Sequence, residues 1–378
     1  MKQFLMIIFF LTQVIISKEI YDSETDSDKI KKSIPVTAGG LLKLNTCGGD
    51  VDLKSWDKNE VLVEAEGIDS ENLENFKIIN NGNVVSVNYK THWGWDGAKF
   101  TITIPKDFNV EIKTAGGDVN FQGRINGVVQ TSTSGGNIKT NFVHGSVTMK
   151  TSGGDITCER ISGDGIVSTS GGHIKFKSVG RKIQASTSGG DIEIGNVGGN
   201  AVVKTSGGDI EIGDVDGNAE ASTSGGDIEI GNVSNNAILK TAGGDIILKS
   251  ANGLVEAKTA GGNIILKQII GRIEAKTAGG DISAELIPSG ASSMKTSGGN
   301  ILLFVSPKAK ATVTVLIEND WRKQSQFDVT SEFKMDFYEI DKDNKDIRSK
   351  INLNGGGEII SLRTTNGNVF VKEFKSKE

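Results

Sequence analysis

The chain has 378 residues, of which 49 are glycine and only 4 are proline. Glycine at this level, without the every-third-residue period of collagen, indicates many tight turns rather than a helical bundle. The apolar content of 36% is low for this length and favours a thin, elongated core over a large round one. The formal net charge of −5, with no dominant basic stripe, argues against a nucleic-acid partner.

The first residues have the pattern of a secretory signal peptide. A lysine is followed by an apolar run from Phe4 to Ile16 and then by a polar stretch. This pattern predicts a signal peptide over residues 1–17 and a polar linker over 18–33. An uncleaved membrane anchor is the alternative, although the apolar run is short for a spanning helix. We therefore expect an exported protein, periplasmic, at the cell surface or extracellular, with no transmembrane span in the mature chain.

Residues 34–112 contain irregular strand patterns and are predicted to form an N-terminal β cap. They include an imperfect copy, from Thr46 to Val51, of a motif that recurs later in the chain. Trp93 and Trp95 lie in an aromatic loop that is a candidate contact for a sugar or a protein partner. Covering the end of the core is the alternative role, because aromatic clusters more often do this.

Residues 113–304 form an internal repeat. Gly-Gly pairs begin at 116, 135, 153, 171, 189, 207, 225, 243, 261, 279 and 298, a spacing of 18 residues except for 19 at the first and last steps. Apolar and polar residues alternate within a repeat, which is the period of a β-strand. In one repeat the predicted inward side chains are Ala201, Val203, Thr205, Ile210, Ile212 and Val215. Glycine at the first corner is expected to permit a positive φ, and Asn or Asp at the second corner to tolerate the same region.

Stacking of successive repeats would bury the inward residues and pair every strand from above and below. This predicts an all-β fold: a single-stranded right-handed parallel β-helix (β-solenoid) of about eleven 18-residue coils with β-rich terminal caps. The right hand is chosen because parallel crossovers strongly favour it. A left-handed hexapeptide helix is the alternative, but the inward spacings do not follow a strict six-residue step. Because the inward residues are small or β-branched, we expect a narrow interior with no room for a ligand.

Residues 305–378 are predicted to form a C-terminal β cap that ends in one more motif-like strand, at Thr364–Val369. Such covers are needed because an open solenoid end exposes apolar core and unpaired strand edges. The two cysteines, Cys47 and Cys158, occupy different phases of the repeat and lie several coils apart. We expect both thiols to be unpaired, because a disulfide cannot span that distance.

The outward acidic residues of the coils at 187–230 are the first candidate site. Two sets should stack in neighbouring coils: Asp191, Asp209 and Asp227, and Glu193, Glu211 and Glu229. Stacked like charges repel, and Ca²⁺ would relieve the repulsion because it prefers several oxygen ligands. The alternative is a solvated surface that keeps the rod soluble, and the calcium-binding pattern GGxGxD is absent. The Asp or Asn after each Gly-Gly pair is expected to bond the backbone of the turn that it closes, rather than to act in catalysis.

The lysines that precede the motif threonines are predicted to form a basic ladder on a later part of the rod. They are Lys240, Lys258, Lys276 and Lys295, with Glu256 and Glu274 on the same outward face. This arrangement favours a surface of salt bridges, and a patch for anionic glycans or phospholipid is the alternative. The three histidines show no metal-ligand spacing, and the sequence contains no Gly-x-Ser-x-Gly elbow, Walker loop or HExxH motif.

Several segments together resemble the bacterial putative adhesin family, a β-strand-repeat domain of unknown function. They are LKLNTCGGDVDLKSWDKNEVLVEAEG near the start, FTITIPKDFNVEIKTAGGDV at 100–119, the TSGGDI repeats, and GGGEIISLRTTNGNVFVKE near the end. The resemblance covers about 36–373. It implies an exported right-handed β-helix with no established reaction.

The leading functional hypothesis is a non-catalytic surface or envelope protein that acts as a rigid interaction scaffold for a protein or glycan. The first alternative is a polysaccharide-active enzyme, because right-handed β-helices also carry pectin lyases; this rests on fold analogy alone. The second is a calcium-binding structural protein of the envelope. No catalytic residue and no cofactor is assigned from the sequence.

Overall fold

The computed structural model describes residues 29–90, 97–318 and 327–374. This part of the chain consists almost entirely of short β-strands, with a 3-10 helix at Ser70–Asn75. No helix within these ranges is long and apolar enough to cross a membrane. The predicted signal peptide, together with Trp93 and Trp95, lies outside the described residues.

The strands belong to two sheets, which we name sheet A and sheet B. The N-terminal strands are β1 (Lys29–Pro35), β2 (Gly40–Thr46), β3 (Asp50–Trp56), β4 (Glu60–Glu66), β5 (Phe76–Asn81), β6 (Val84–Tyr89), β7 (Lys99–Pro105), β8 (Phe108–Thr114) and β9 (Val119–Ile125). β2 lies parallel to β6 and β8 in sheet B, and β3 lies parallel to β7 and β9 in sheet A. Antiparallel strands border both sheets, with β1 on β4 and β5 on β6.

The end of the predicted polar linker over 18–33 is a strand in the structure, because β1 begins at Lys29. Its sequence, KIKKSIP, is mostly polar and looks unstructured when read alone. Residue-by-residue antiparallel pairing with β4 orders it and buries Ile34. Long-range pairing has therefore overridden local composition at this position.

The central coils contribute alternate strands to sheet B and sheet A. They are β10 (Val129–Ser132), β11 (Ile138–Val143), β12 (Val147–Lys150), β13 (Ile156–Ile161), β14 (Gly165–Ser168), β15 (Ile174–Val179), β16 (Ile183–Ser186), β17 (Ile192–Val197), β18 (Ala201–Lys204), β19 (Ile210–Ile212), β20 (Ala219–Ser222), β21 (Ile228–Val233), β22 (Ala237–Lys240), β23 (Ile246–Ala251), β24 (Leu254–Lys258), β25 (Ile264–Lys276), β26 (Ile282–Pro288), β27 (Ser292–Lys295) and β28 (Ile301–Val305). The strand after each Gly-Gly pair is in sheet A and the strand before it is in sheet B.

Equivalent residues of successive coils lie directly over one another. Ile192 pairs with Ile210, and Ile210 with Ile228, all in parallel strands. At the third corner, Val215 forms parallel bridges to the equivalent valines of the coils on either side. The inward residues are buried along the whole stack, as the alternation of the sequence predicts. The prediction of an all-β, solenoid-like stack is confirmed.

The motif glycines are needed for a different reason from the one expected. None of the Gly-Gly pairs from 135 to 299 has φ in the left-handed region. Instead, a Cβ on the second glycine would lie too close to the carbonyl oxygen of its counterpart in the preceding coil, 2.2 Å away in the case of Gly208. The expectation of positive φ is therefore wrong for these coils. Glycine is required because the backbones of stacked corners touch.

The last part of the chain closes the stack. Its strands are β29 (Ala311–Ile317), β30 (Val329–Ser331), β31 (Phe337–Ile340), β32 (Ile347–Leu353), β33 (Glu358–Thr364) and β34 (Val369–Glu373). The predicted final motif copy joins β33 to β34, and these strands stack in parallel on β27 and β28. β29, β31 and β32 extend sheet B beyond this last coil.

Cys47 and Cys158 do not form a disulfide with each other, as predicted. Cys158 is an inward residue of β13, paired in register with Thr140 and Phe176 of the neighbouring coils. Its burial raises the pKa of its thiol to about 12. Cys47 lies near the N-terminal end of the stack and is half-buried.

Candidate interaction surface

The motif threonine has a structural role in every regular coil. The Thr205 hydroxyl donates a hydrogen bond of 2.9 Å to the carbonyl oxygen of Gly190 in the preceding coil. It also accepts a bond of 3.4 Å from the backbone N–H of Gly208 in its own coil. The same inter-coil bond recurs at Thr151, Thr169, Thr187, Thr223, Thr241, Thr259, Thr277 and Thr296. Each of these threonines is buried, and its hydroxyl bonds one backbone group of the preceding coil and one of its own coil.

The Asp or Asn after each Gly-Gly pair also joins coils. The backbone N–H of Asp209 donates to Asp191 Oδ1 at 2.9 Å, that of Asp227 to Asp209 Oδ1 at 2.8 Å, and that of Asp245 to Asp227 Oδ1 at 2.7 Å. His173 fits the same position, because its Nδ1 accepts from the N–H of Asp191 at 3.0 Å. The expectation that these side chains bond their own turn is wrong. The stacked corners bring the N–H of the next coil closer to the side chain.

The predicted glutamate set forms a ladder in the structure. Glu193, Glu211 and Glu229 pair directly across β17, β19 and β21, and all three are exposed. Glu193 also forms an ion pair of 2.5 Å with Lys175 of the preceding coil. The glutamates and the aspartates of this face run in lines along the rod. Among the residues that the structure describes, no three His, Cys, Asp or Glu side chains are placed to hold a metal ion.

The predicted basic ladder is also in register. Lys240, Lys258, Lys276 and Lys295 follow one another across β22, β24, β25 and β27. Glu256 Oε1 lies 2.6 Å from Lys258 Nζ and 3.1 Å from Lys240 Nζ. The bonds to these ammonium groups lower the pKa of the Glu256 carboxyl, and the same contact raises the pKa of Lys258. The predicted salt-bridged surface is confirmed around Glu256.

A third set of side chains was not identified from the sequence. Arg124 of β9, Phe142 of β11 and Arg160 of β13 pair directly across three adjacent parallel strands of sheet A. All three are exposed. In the next coils the same position holds small polar residues, Ser178 and Asn196, and near the C-terminal end it holds Glu285, Phe304 and Lys372. The part of this signal that the repeat offered was the pair Phe142 and Arg160, which are large where the following coils have small residues.

A β-bulge in β9 brings Arg124 into line. Phe121 pairs with Thr140, whereas Arg124 pairs with Phe142, so β9 carries one residue more than β11 between these pairs. Gly123 within the bulge has φ of +93°, and the backbone N–H of Arg124 donates to Ser55 Oγ at 3.2 Å. The 19-residue spacing at the first step of the repeat is this bulge. Bulges of this kind commonly re-aim a side chain.

Two depressions mark the N-terminal end of the molecule. The larger, of about 430 Å³, is lined by Pro35, Val36, Thr37, Gly82 and Asn83. The smaller, of about 150 Å³, lies on sheet B. The lining of the smaller depression includes Lys43, Ser86, Glu111 and Lys113, and Lys113 Nζ lies 2.6 Å from Glu111 Oε1.

Comparison with known proteins places the chain in a family without an established reaction. No curated protein matches it. The crystal structure of a putative cell adhesion protein from Clostridium sporogenes ATCC 15579 is 9% identical, with a TM-score of 0.19, and covers 92% of this chain and 99% of its own. A putative adhesin from Bacteroides fragilis NCTC 9343 is 14% identical, with a TM-score of 0.22, over 92% of this chain and 98% of its own. A putative adhesin from Parabacteroides merdae ATCC 43184 is 12% identical, with a TM-score of 0.22, over 74% and 93%.

The family model named Toastrack DUF4097 matches the chain over residues 41–232 and again over 180–325. These two segments overlap and together span most of the chain. They include the N-terminal strands from β2 onward, apart from the first residue of β2, and all the regular coils. The resemblance to bacterial putative adhesins is in agreement with this match, and the chain belongs to the Toastrack DUF4097 family.

Proposed function

We propose that the protein is an exported, non-catalytic β-solenoid of the cell surface or envelope, which presents a long rigid surface to a protein or glycan partner. The observation that carries the proposal is the use of the recurring polar groups. The motif threonines and aspartates bond the backbone of neighbouring coils. The polar side chains of the repeat motif therefore serve to hold the rod together. Recognition then falls to the exposed side chains that differ from coil to coil.

The proposal includes the finer geometry of the rod. We take it as a right-handed parallel β-helix of about eleven coils, because parallel crossovers strongly favour that hand. With strands spaced about 4.8 Å apart, the regular part would be roughly 50 Å long. A stiff rod of this length suits display, since its side chains hold fixed positions relative to one another.

Export is supported by the apolar run near the N-terminus, which has the length and flanks of a signal peptide. Expression of the full chain in a bacterial host, followed by fractionation and N-terminal sequencing, tests this step. We expect a mature chain that starts close to residue 18 in the periplasmic or extracellular fraction. A full-length chain retained with the cytoplasm would contradict export.

The arrangement of the acidic side chains on the outer face of the rod supports the absence of catalysis. Glu211 and Glu229 lie on an exposed outer face in a repeating line, whereas polysaccharide-active enzymes gather an acid and a base around one scissile bond. The purified protein should give no turnover on a panel of acidic and neutral polysaccharides. Turnover that a single Asp or Glu substitution abolishes would establish the enzyme alternative.

Interaction is tested with the purified mature chain as bait. Immobilised protein is incubated with intact cells, peptidoglycan, isolated polysaccharides and envelope extracts, and the retained material is identified. An unrelated β-solenoid of similar charge serves as the control for adsorption to a repetitive surface. We expect selective retention of one class of envelope material. Failure to retain any class above the control would refute the scaffold role.

A further inference from the structure

The side chains Arg124, Phe142 and Arg160 depart from the small polar residues that follow them at the same position, and we infer that they bind an acidic sugar of a glycan. We name this set the Arg-Phe-Arg row. The inference rests on the proposed interaction role and specifies its ligand class. It follows from three features of the row: an exposed aromatic ring, two flanking guanidinium groups, and a bulge that aligns them.

Phe142 is unusual for its exposure. Its exposed fraction is 46%, and it is the only aromatic residue between 106 and 318, all of them described, that is classed as exposed rather than buried or half-buried. It lies on the outward face of sheet A and is not part of the core. A flat, accessible ring of this kind presents a π-face that can pack against the apolar face of a sugar ring.

The two arginines flank the ring on adjacent strands. Strands of a sheet lie about 4.8 Å apart, so each guanidinium can reach a negative group held over Phe142. Arginine suits this task because its planar fork binds carboxylates with two parallel hydrogen bonds. Neither arginine forms an ion pair within the described ranges, and the hydrogen bond of the Arg124 side chain is from Nε to Asn126 Oδ1 at 3.0 Å.

The surrounding charge also favours an anion. Strands β9, β11 and β13 carry Arg124, Lys139 and Arg160 against a single acid, Glu159. Lys177 and Lys175, the latter paired with Glu193, follow on β15. The local excess of positive charge contrasts with the chain as a whole, which has a net charge of −5.

The β-bulge in β9 is the structural feature that aligns Arg124 with Phe142 and Arg160. Without the extra residue, the outward side chain of β9 opposite Phe142 would not be Arg124. The bulge needs Gly123, because its φ of +93° disfavours other residues and an added Cβ would lie 2.6 Å from Ser55 Oγ. The Ser55 hydroxyl then fixes the backbone of Arg124. Ordered backbone on both sides of an arginine reduces the entropy lost on binding.

A short acidic glycan fits better than a nucleic acid. Single-stranded nucleic acids also use aromatic rings and cations, but they bind along grooves lined by several of each. The row offers one ring. Beyond the coil of β15, residues 187–235 carry nine acidic residues and one lysine, which would repel a long polyanion that followed the rod.

The test measures binding of the mature protein to a galacturonic acid trisaccharide, by calorimetry at low and moderate salt. A galactose trisaccharide and a short single-stranded DNA are the comparison ligands. The site variants are Phe142→Ala and the double variant Arg124→Gln/Arg160→Gln. The matched controls are Ile166→Ala, whose side chain is 48% exposed on sheet B, and Lys150→Gln on the same sheet. All these side chains are exposed, so melting curves should be unchanged.

We expect the acidic trisaccharide to bind more tightly than the neutral one, with each site variant weakening it by about tenfold or more and the controls leaving it unchanged. No binding by the unaltered protein, equal binding by the site variants, or tighter site-dependent binding of DNA would each overturn the inference. If Phe142→Ala retains envelope material as well as the unaltered protein does, the row is not the contact. The scaffold role would then stand without it.

Discussion

Alanine in place of each member of one Gly-Gly pair tests whether coil stacking sets the glycine requirement. A Cβ on Gly208 would lie 2.2 Å from the Gly190 carbonyl oxygen and 2.5 Å from Asp191 Oδ1. A Cβ on Gly207 would lie 3.3 Å from the Gly189 carbonyl oxygen, close to ordinary contact. Both glycines have φ outside the left-handed region, so the two substitutions differ in inter-coil space and not in backbone strain.

The cost at the second glycine follows from the bonds across the same corner. Relief of the contact requires the coils to separate locally by about 1 Å. Bonds of 2.9 Å join these coils next to the substitution: from the N–H of Asp209 to Asp191 Oδ1, from the N–H of Ile192 to the Asp209 carbonyl, and from the Thr205 hydroxyl to the Gly190 carbonyl. At about 1 kcal/mol each, their weakening destabilises the protein by roughly 3 kcal/mol. The first-glycine variant should change stability by about 1 kcal/mol or less, partly offset by the reduced entropy of its unfolded chain.

Urea unfolding of Gly208→Ala and Gly207→Ala, followed by far-ultraviolet circular dichroism, measures this difference. Repeat proteins can unfold in segments, so the transition midpoint of the central coils is the quantity to compare. We expect Gly208→Ala to unfold at clearly lower urea and Gly207→Ala to stay near the unaltered protein. Equal midpoints, or the reverse order, would refute the steric explanation.

Four further predictions concern single groups of the rod. Thr205→Val removes a buried hydroxyl that serves two backbone groups and should lower stability by about 1–2 kcal/mol in urea unfolding, whereas Thr205→Ser should cost less. The pKa of Glu256 in the folded protein is below its ordinary value, so its stabilising effect is present at neutral pH and is lost as pH falls through the carboxyl range. Because its lysine partners are exposed, the effect should be less than about 1 kcal/mol. Glu256→Gln should remove that part of the pH dependence of the melting temperature. The Cys158 thiol, with a pKa raised to about 12, should resist alkylation at pH 8 until urea unfolds the protein, as mass spectrometry of the labelled peptide would show. Calcium at millimolar concentration should leave the melting temperature unchanged, because the acidic ladders do not converge on one point; a clear increase would support the calcium-binding alternative.

Much of the architecture was accessible from the sequence because it depends on local alternation and constant spacing. The alternation in residues 201–215 identified the inward side chains, and these are buried. The spacing of 18 residues predicted which residues stack, and Glu193, Glu211 and Glu229 pair as expected. The alternation and the 18-residue spacing can both be detected in a single sequence, because every coil repeats them.

The predictions that proved wrong concern the motif glycines, the motif aspartates and the linker. All of them depend on contacts between segments, which the sequence of one segment does not show. The reason for the second glycine and the acceptor role of Asp191 both depend on the backbone of the adjacent coil. Strand β1 depends on its pairing with β4, about thirty residues away in the sequence. Composition and turn preferences describe a segment in isolation, so they gave the correct location of each corner and the wrong chemistry for it.

The Arg-Phe-Arg row was hidden for a related reason. Arg124, Phe142 and Arg160 are separated by 18 residues, but the bulge at Gly123 shifts the preceding Gly-Gly pair by one position. Alignment on that pair therefore places Arg124 out of register with Phe142. Selection for a stable rod acts on every coil alike, whereas selection for recognition acts on the few coils that meet a ligand. In a protein of this kind, a position where the repeat is broken and the break is structurally supported is where function should be sought first.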